Sequence, residues 1–239
     1  MNLISYLLLF FSIILSGSWV FMFKKISSRN LKLMLAFSGA FLFALTVTHL
    51  IPQVYKGNAA DIGVFILMGF FLQILLELLS EGIEHGHIHI HKNEDSIAFP
   101  MGMMLGLCLH SFLEGMPLTQ KLDEESTGHS LLAGIILHHI PVAMALSTML
   151  LESGIAKLRV IIYLALFAAM APAGALFSEL IVSVYSGEIA GFYNKLMGIV
   201  IGIFLHISTT ILFESSEGHR FNLMKFSVIV LGAGIAIFI

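Results

Sequence analysis

Residues 107–118 read LCLHSFLEGMPL, and the run sets His110 and Glu114 four positions apart among leucines, phenylalanine and methionine. On a helix, side chains at i and i+4 lie one above the other, so the imidazole and the carboxylate can grip a single object. Their surroundings make both costly to keep. Over its 239 residues the chain is 58% hydrophobic and 11% charged, far from the balance of a soluble domain. It reads as an all-α polytopic membrane protein, and an ionisable pair inside such a chain is a functional hypothesis by default.

The formal net charge of -3 comes from scattered residues, with no basic patch to suggest nucleic acid and no acidic tail. Cys108 is the single cysteine and cannot form an intramolecular disulfide. Eight apolar stretches come near the roughly 20 residues that a spanning helix needs. They are Leu3 to Phe23, Leu31 to Tyr55, Ile62 to Ser80, Ile97 to Gln120, Ser130 to Leu151, Val160 to Tyr185, Ile189 to Phe213 and Phe221 to Ile239. The first has no positive residue before it and Lys24 and Lys25 after it, the reverse of a cleavable signal peptide, so it counts as a span. The short loops leave no room for a second domain. Residues 1–239 are expected to form one transmembrane unit with a His-rich loop at 81–96.

Lys and Arg counts in alternate loops set the orientation, because positively charged loops stay cytoplasmic. After spans one, three, five and seven lie Lys24, Lys25, Arg29, Lys32, Lys92, Lys157, Arg159, Arg220 and Lys225; the other side has Lys56, Lys121 and Lys195. Nine against three places both termini outside the cytoplasm. The expected location is the cell membrane, multi-pass: a plasma membrane, or the inner membrane if the source is bacterial. The bilayer is then an obligatory partner, and a homodimer is a further possibility on which the sequence is silent.

In span five, His138 and His139 precede Ile140 and Pro141. Two or three histidines and one carboxylate, drawn from two helices, suit a borderline divalent ion such as zinc, iron(II) or manganese(II). A pair of buried polar groups that merely bond one another would explain one such residue; His110, Glu114, His138 and His139 together point to metal. Prolines gather in the same region. Pro141 and Pro117 deprive the carbonyls of Leu137 and Leu113 of their helical donors, and Pro52 and Pro172 do the same to Thr48 and Ala168. Four spans are therefore expected to bend or open locally, which is tolerated where backbone is buried in protein or lines a wet cavity.

The string Gly39-Ala-Phe-Leu-Phe-Ala-Leu-Thr46 in span two resembles Gly202-Ile-Phe-Leu-His-Ile-Ser-Thr209 in span seven. These spans run in opposite directions, so a repeat built on them is inverted, as in many secondary transporters. His49 near the outer end of span two, His206 in span seven and Glu179 in span six are further candidates for a metal pathway. So are His85, His87, His89 and His91, which alternate in the loop after span three and fall on one side of an extended chain.

The segments His110-Ser-Phe-Leu-Glu114-Gly115 and His138-His-Ile-Pro141 resemble the paired motifs of the ZIP (Zrt/Irt-like) divalent metal transporters, an HNxxxG-like run with an acidic residue and HExPHE. Thr48-His-Leu-Ile-Pro52 is similar to an HLxP ending of the family's second span. The resemblance implies a 3+2+3 helix arrangement, with spans four and five central, and metal transport toward the cytoplasm. It also implies a central site of His110, Glu114 and His138. Departures from the family pattern are Ser111 for asparagine, His139 for glutamate, Val142-Ala143 for a His-Glu pair, and Ala171 where a carboxylate often precedes the span-six proline.

These departures remove donors from a second, adjacent ion, so one metal is expected at the centre. Residues 138 and 139 diverge by about 100° on an ideal helix. Both join one site only if Pro141 distorts the backbone; otherwise His139 faces another position, beside Ser111. Protons compete with metal for neutral imidazole, so activity should fall as pH drops. No cofactor is expected, since the divalent metal, zinc first, is cargo. Two other readings stay open. An intramembrane zinc-dependent hydrolase would use Glu114 as a base, but neither histidine pair has the HExxH spacing. A metal-sensing membrane protein would bind the ion without moving it.

Overall fold

A computed structural model describes residues 3–22, 27–56, 61–80, 83, 101–119, 125–184, 189–214 and 223–239. Eight helices account for nearly all of them: α1 (Leu3–Trp19), α2 (Ser28–Tyr55), α3 (Ile62–Ser80), α4 (Met101–Thr119), α5 (Glu125–Glu152), α6 (Lys157–Val184), α7 (Ile189–Glu214) and α8 (Leu223–Phe238). Six are long and apolar enough to cross a bilayer, and α1 and α8 are shorter apolar helices. The chain is an all-α polytopic membrane protein.

The helix limits refine the sequence reading. α2 starts three residues before Leu31, α5 starts five before Ser130 and α6 three before Val160, because polar first turns are invisible to an apolar count. At the other end α1 closes at Trp19, short of Phe23, and α8 spans Leu223–Phe238, stopping one residue before Ile239; residues 221 and 222 lie outside the described residues. Residues 97–100 and the histidines at 85, 87, 89 and 91 lie outside the described residues.

Burial ranks the helices. In their most apolar windows, 72% of α5 is buried against 22% of α3, so α5 is a core element and most of the α3 surface faces outward. Leu67, Phe71, Leu75 and Leu78 of α3 are all exposed, which is favourable only in hydrocarbon. The helices of residues 3–80 and those of 157–238 interleave. α3 packs on α7 as α8 packs on α2, α1 meets α6, and α2 meets α7; α4 leans on α6 and α5 on α1. Exchanging α1–α3 for α6–α8, and α4 for α5, reproduces these pairs, although the α3–α4 contact has no strong α8–α5 counterpart.

Glycines mark that exchange. A Cβ on Gly69 of α3 would run into the Ile199 carbonyl of α7, and one on Gly232 of α8 would run into the Phe37 carbonyl of α2. Gly69 and Gly232 are separated in sequence by the same distance as Gly39 and Gly202, which open the two similar strings. Small residues at such crossings let backbones approach within van der Waals contact, the main source of helix association in lipid.

Pro52, Pro117, Pro141 and Pro172 act in two ways. Ahead of Pro52, residues Thr46–Leu50 wind as a π-helix, and Pro117 lies in the 3-10 turn Met116–Thr119. Pro141 and Pro172, in contrast, sit inside helices that continue unbroken. Of the four spans expected to bend or open locally, those of Pro52 and Pro117 open as a π-helix and a 3-10 turn, while those of Pro141 and Pro172 stay helical past the proline. α5 ends in a Schellman turn, with Gly154 at φ 77° donating to Leu151 and Ile155 donating to Leu150, both at 3.0 Å. Only glycine adopts that φ without strain.

Candidate metal centre

Glu114 stands at the centre of the described polar core. It is wholly buried on α4, with His110 Nε2 3.2 Å from its Oε1 and His139 Nε2 2.8 Å from its Oε2. His110, Glu114 and His139 offer ligand atoms that all lie within 4.8 Å of one another. Ligand atoms about 2 Å from a tetrahedral zinc lie roughly 3.3 Å apart, so small side-chain shifts would admit an ion. Among the described residues no other trio of His, Cys, Asp or Glu meets that criterion.

Four helices build this geometry. α4 supplies His110 and Glu114 from one face, as their spacing requires, and Gly115 lets α6 press against that helix. A Cβ at Gly115 would strike the Ala171 carbonyl, and one at Gly174 of α6 would strike the Phe112 carbonyl. α5 supplies His139, whose ring is packed edge-on by Phe167 of α6 with centroids 5.2 Å apart. α3 supplies Gln73, fully buried, whose Oε1 lies 3.1 Å from His110 Nδ1.

The hydrogen bonds assign protons. Amide oxygen only accepts, so His110 Nδ1–H donates to Gln73 and, in neutral imidazole, Nε2 is left bare. That bare nitrogen faces a carboxylate oxygen at 3.2 Å. Such a contact is satisfied by a proton on the ring nitrogen or by a metal cation held between the two atoms. His139 meets the other carboxylate oxygen as an N–H donor, while its Nδ1 is buried without a hydrogen-bond partner among the described residues. Metal capture at His139 Nε2 would release the proton now given to Glu114.

Other sequence candidates fall around this core. His138 is fully buried, its ring 6.0 Å from those of both His110 and His139, but it is outside the compact trio. The resemblance pointed to His138 as the α5 member; the compact trio contains His139, which α5, helical through Pro141, turns toward Glu114, with the His138 ring beside it. Ser111 is buried, with its Oγ making no hydrogen bond among the described residues. Val142, Ala143 and Ala171 are buried and bring no donor.

The pathway candidates separate. His206 of α7 lies 3.5 Å from Glu77 of α3 and packs edge-on against Phe70. His49 Nδ1 bonds the hydroxyl of Thr48 at 2.8 Å, and that hydroxyl itself donates to the Ala44 carbonyl. Glu179 is exposed and accepts the Tyr6 hydroxyl hydrogen bond at 3.0 Å, away from the core. Two contributors escaped the sequence reading, Gln73 and Phe167. Gln73 was detectable: it stands one turn before Glu77 in a span that is otherwise almost wholly apolar.

A model of the family described as ZIP Zinc transporter matches residues 97–239, a stretch that includes His110, Glu114, His138 and His139. Zinc transporter ZIP9 of Micropogonias undulatus is 28% identical over 161 residues, which is 63% of this chain and 50% of that protein. Zinc transporter ZIP9 of Xenopus tropicalis and Zinc transporter ZIP9-A of Xenopus laevis are each 27% identical over 161 residues, covering 63% of this chain and 51% of theirs. The chain spans about half the length of these curated relatives. Members of the family are transporters rather than enzymes, with metal as substrate and not as cofactor. With the family match covering more than half of its residues, the chain belongs to the ZIP family.

Proposed function

We propose that the protein carries a divalent transition-metal cation, zinc before iron or manganese, across a membrane toward the cytoplasm. The observation that supports this most is the buried trio of His110, Glu114 and His139, contributed by two helices, with its ligand atoms within 4.8 Å. Three side chains leave a coordination position open, as release demands, where four would close a structural cage. One ion occupies the centre, since Val142, Ala143 and Ala171 offer nothing to a second. His138, on the adjacent position of α5, receives the ion as it leaves or enters the trio, with Ser111 a weak neighbouring donor.

Glu77 and His206 form the next polar station. Glu77 is one helical turn beyond Gln73 on α3, so the track leads from the trio along that helix toward the loop at 81–96. By the charge asymmetry this loop is cytoplasmic and both termini are extracytoplasmic. His85, His87, His89 and His91 then collect the ion on the exit side, while His49 and Glu179 belong to the outer half. The location is a plasma membrane, or a bacterial inner membrane. Uptake of zinc into proteoliposomes holding the purified protein tests this reading: accumulation that Glu114→Ala abolishes supports it, whereas binding without accumulation indicates a sensor.

A further inference from the structure

We infer that Gln73 is a positioning residue of the metal site, which from α3 locks His110 in the tautomer that turns a bare Nε2 toward Glu114. The inference rests on reading His110, Glu114 and His139 as that site. Gln73 is 0% exposed in the least buried of the long helices, and an amide so placed is costly unless it bonds. Its Oε1 stands 3.1 Å from His110 Nδ1, and His110 Nε2 stands 3.2 Å from Glu114 Oε1. The other tautomer would direct N–H into the site and leave no lone pair there for an ion.

The register that sets this bond is built into the α3–α4 seam. A Cβ on Gly106 would lie 2.9 Å from the Leu76 carbonyl and 3.1 Å from the Ser80 nitrogen, so glycine draws the two helices together at that level. His110 is one turn after Gly106, and Gln73 nearly one turn before Leu76. In helices of opposite direction these steps lead to the same level, and the close approach places amide against imidazole. Partners that orient a metal-binding histidine through its second nitrogen are worth about 10- to 100-fold in metal affinity.

The test is zinc titration calorimetry on the purified full-length protein in detergent, with Gln73→Met, Gln73→Glu, His110→Ala and the Gln73→Met/His110→Ala double variant. Met keeps the volume and loses the acceptor; Glu offers an acceptor oxygen whether or not it is ionised. Gln73→Met should weaken zinc binding by about 10-fold or more, Gln73→Glu should bind within about threefold of the parent, and Gln73→Met should add nothing once His110 is gone. Binding in Gln73→Met equal to the parent overturns the inference, as does a Gln73→Glu variant as weak as Gln73→Met. So does an undiminished Gln73→Met effect in the His110→Ala background, which would mark a merely structural role. Parent-like binding in His110→Ala would instead show that the site reading itself has failed.

Discussion

The two sides of α4 are joined to their neighbours by different means. Toward α6, Gly115 and Gly174 bring backbone against backbone, with the Phe112 and Phe177 rings 5.6 Å apart beside them. Toward α5, the backbones approach closely only at the end of α4, around residues 116–119, and the gap above is closed by Glu114 reaching His139 at 2.8 Å. One seam is fixed by packing and the other by polar groups that an ion can replace. On the proposed function, metal enters and leaves at the polar seam while the packed seam keeps α4 in the bundle.

Substitutions can break either seam separately. The largest effect is expected from Gly115→Leu or Gly174→Leu, where the new side chain must displace helix backbone; overpacking of this sort costs about 3 kcal/mol or more. Loss of monodisperse protein or a markedly lowered Tm in detergent is the expected result, and a parent-like Tm would show that this seam is not fixed by packing. Glu114→Ala comes next. It should leave folding largely intact while reducing zinc uptake by about 100-fold or more, since a carboxylate bound by both histidines is lost.

His139→Ala and His138→Ala sharpen the polar seam. The first should cost zinc affinity about 10-fold or more and the second a few-fold at most, because only His139 belongs to the compact trio. Equal losses, measured by competition with a metal indicator, would place both rings on the ion. Acidification should act in the same direction as the histidine variants: protons occupy imidazole nitrogens that must be bare to ligate, so zinc affinity falls as pH drops. The smallest effect is predicted for Glu77→Gln, a few-fold slower zinc release in stopped-flow efflux with binding at the centre unchanged, since Glu77 and His206 lie beyond Gln73.

Much of this was legible in the sequence. Apolar runs gave all eight helices, and the i and i+4 spacing gave the His110–Glu114 face. The choice between His138 and His139 was not legible, because it depends on how α5 is rotated against α4. Rotation is set by packing, here by Phe167 against the His139 ring and by Gly134 against Leu42 and Leu45 of α2. Pro141 did not decide it, since α5 stays helical through the proline, as neighbouring helices in a bundle allow. Gln73 was overlooked for a different reason: an uncharged amide is a quieter mark than an ionisable group, and its role emerges only when α3 is laid beside α4.

Zinc K-edge X-ray absorption on the zinc-loaded protein tests the centre most directly. Two imidazoles and carboxylate oxygen around one ion are expected, with one imidazole lost in His139→Ala and both kept in His138→Ala. An imidazole lost in His138→Ala but not in His139→Ala, or a second metal at about 3.5–4 Å, would contradict this arrangement.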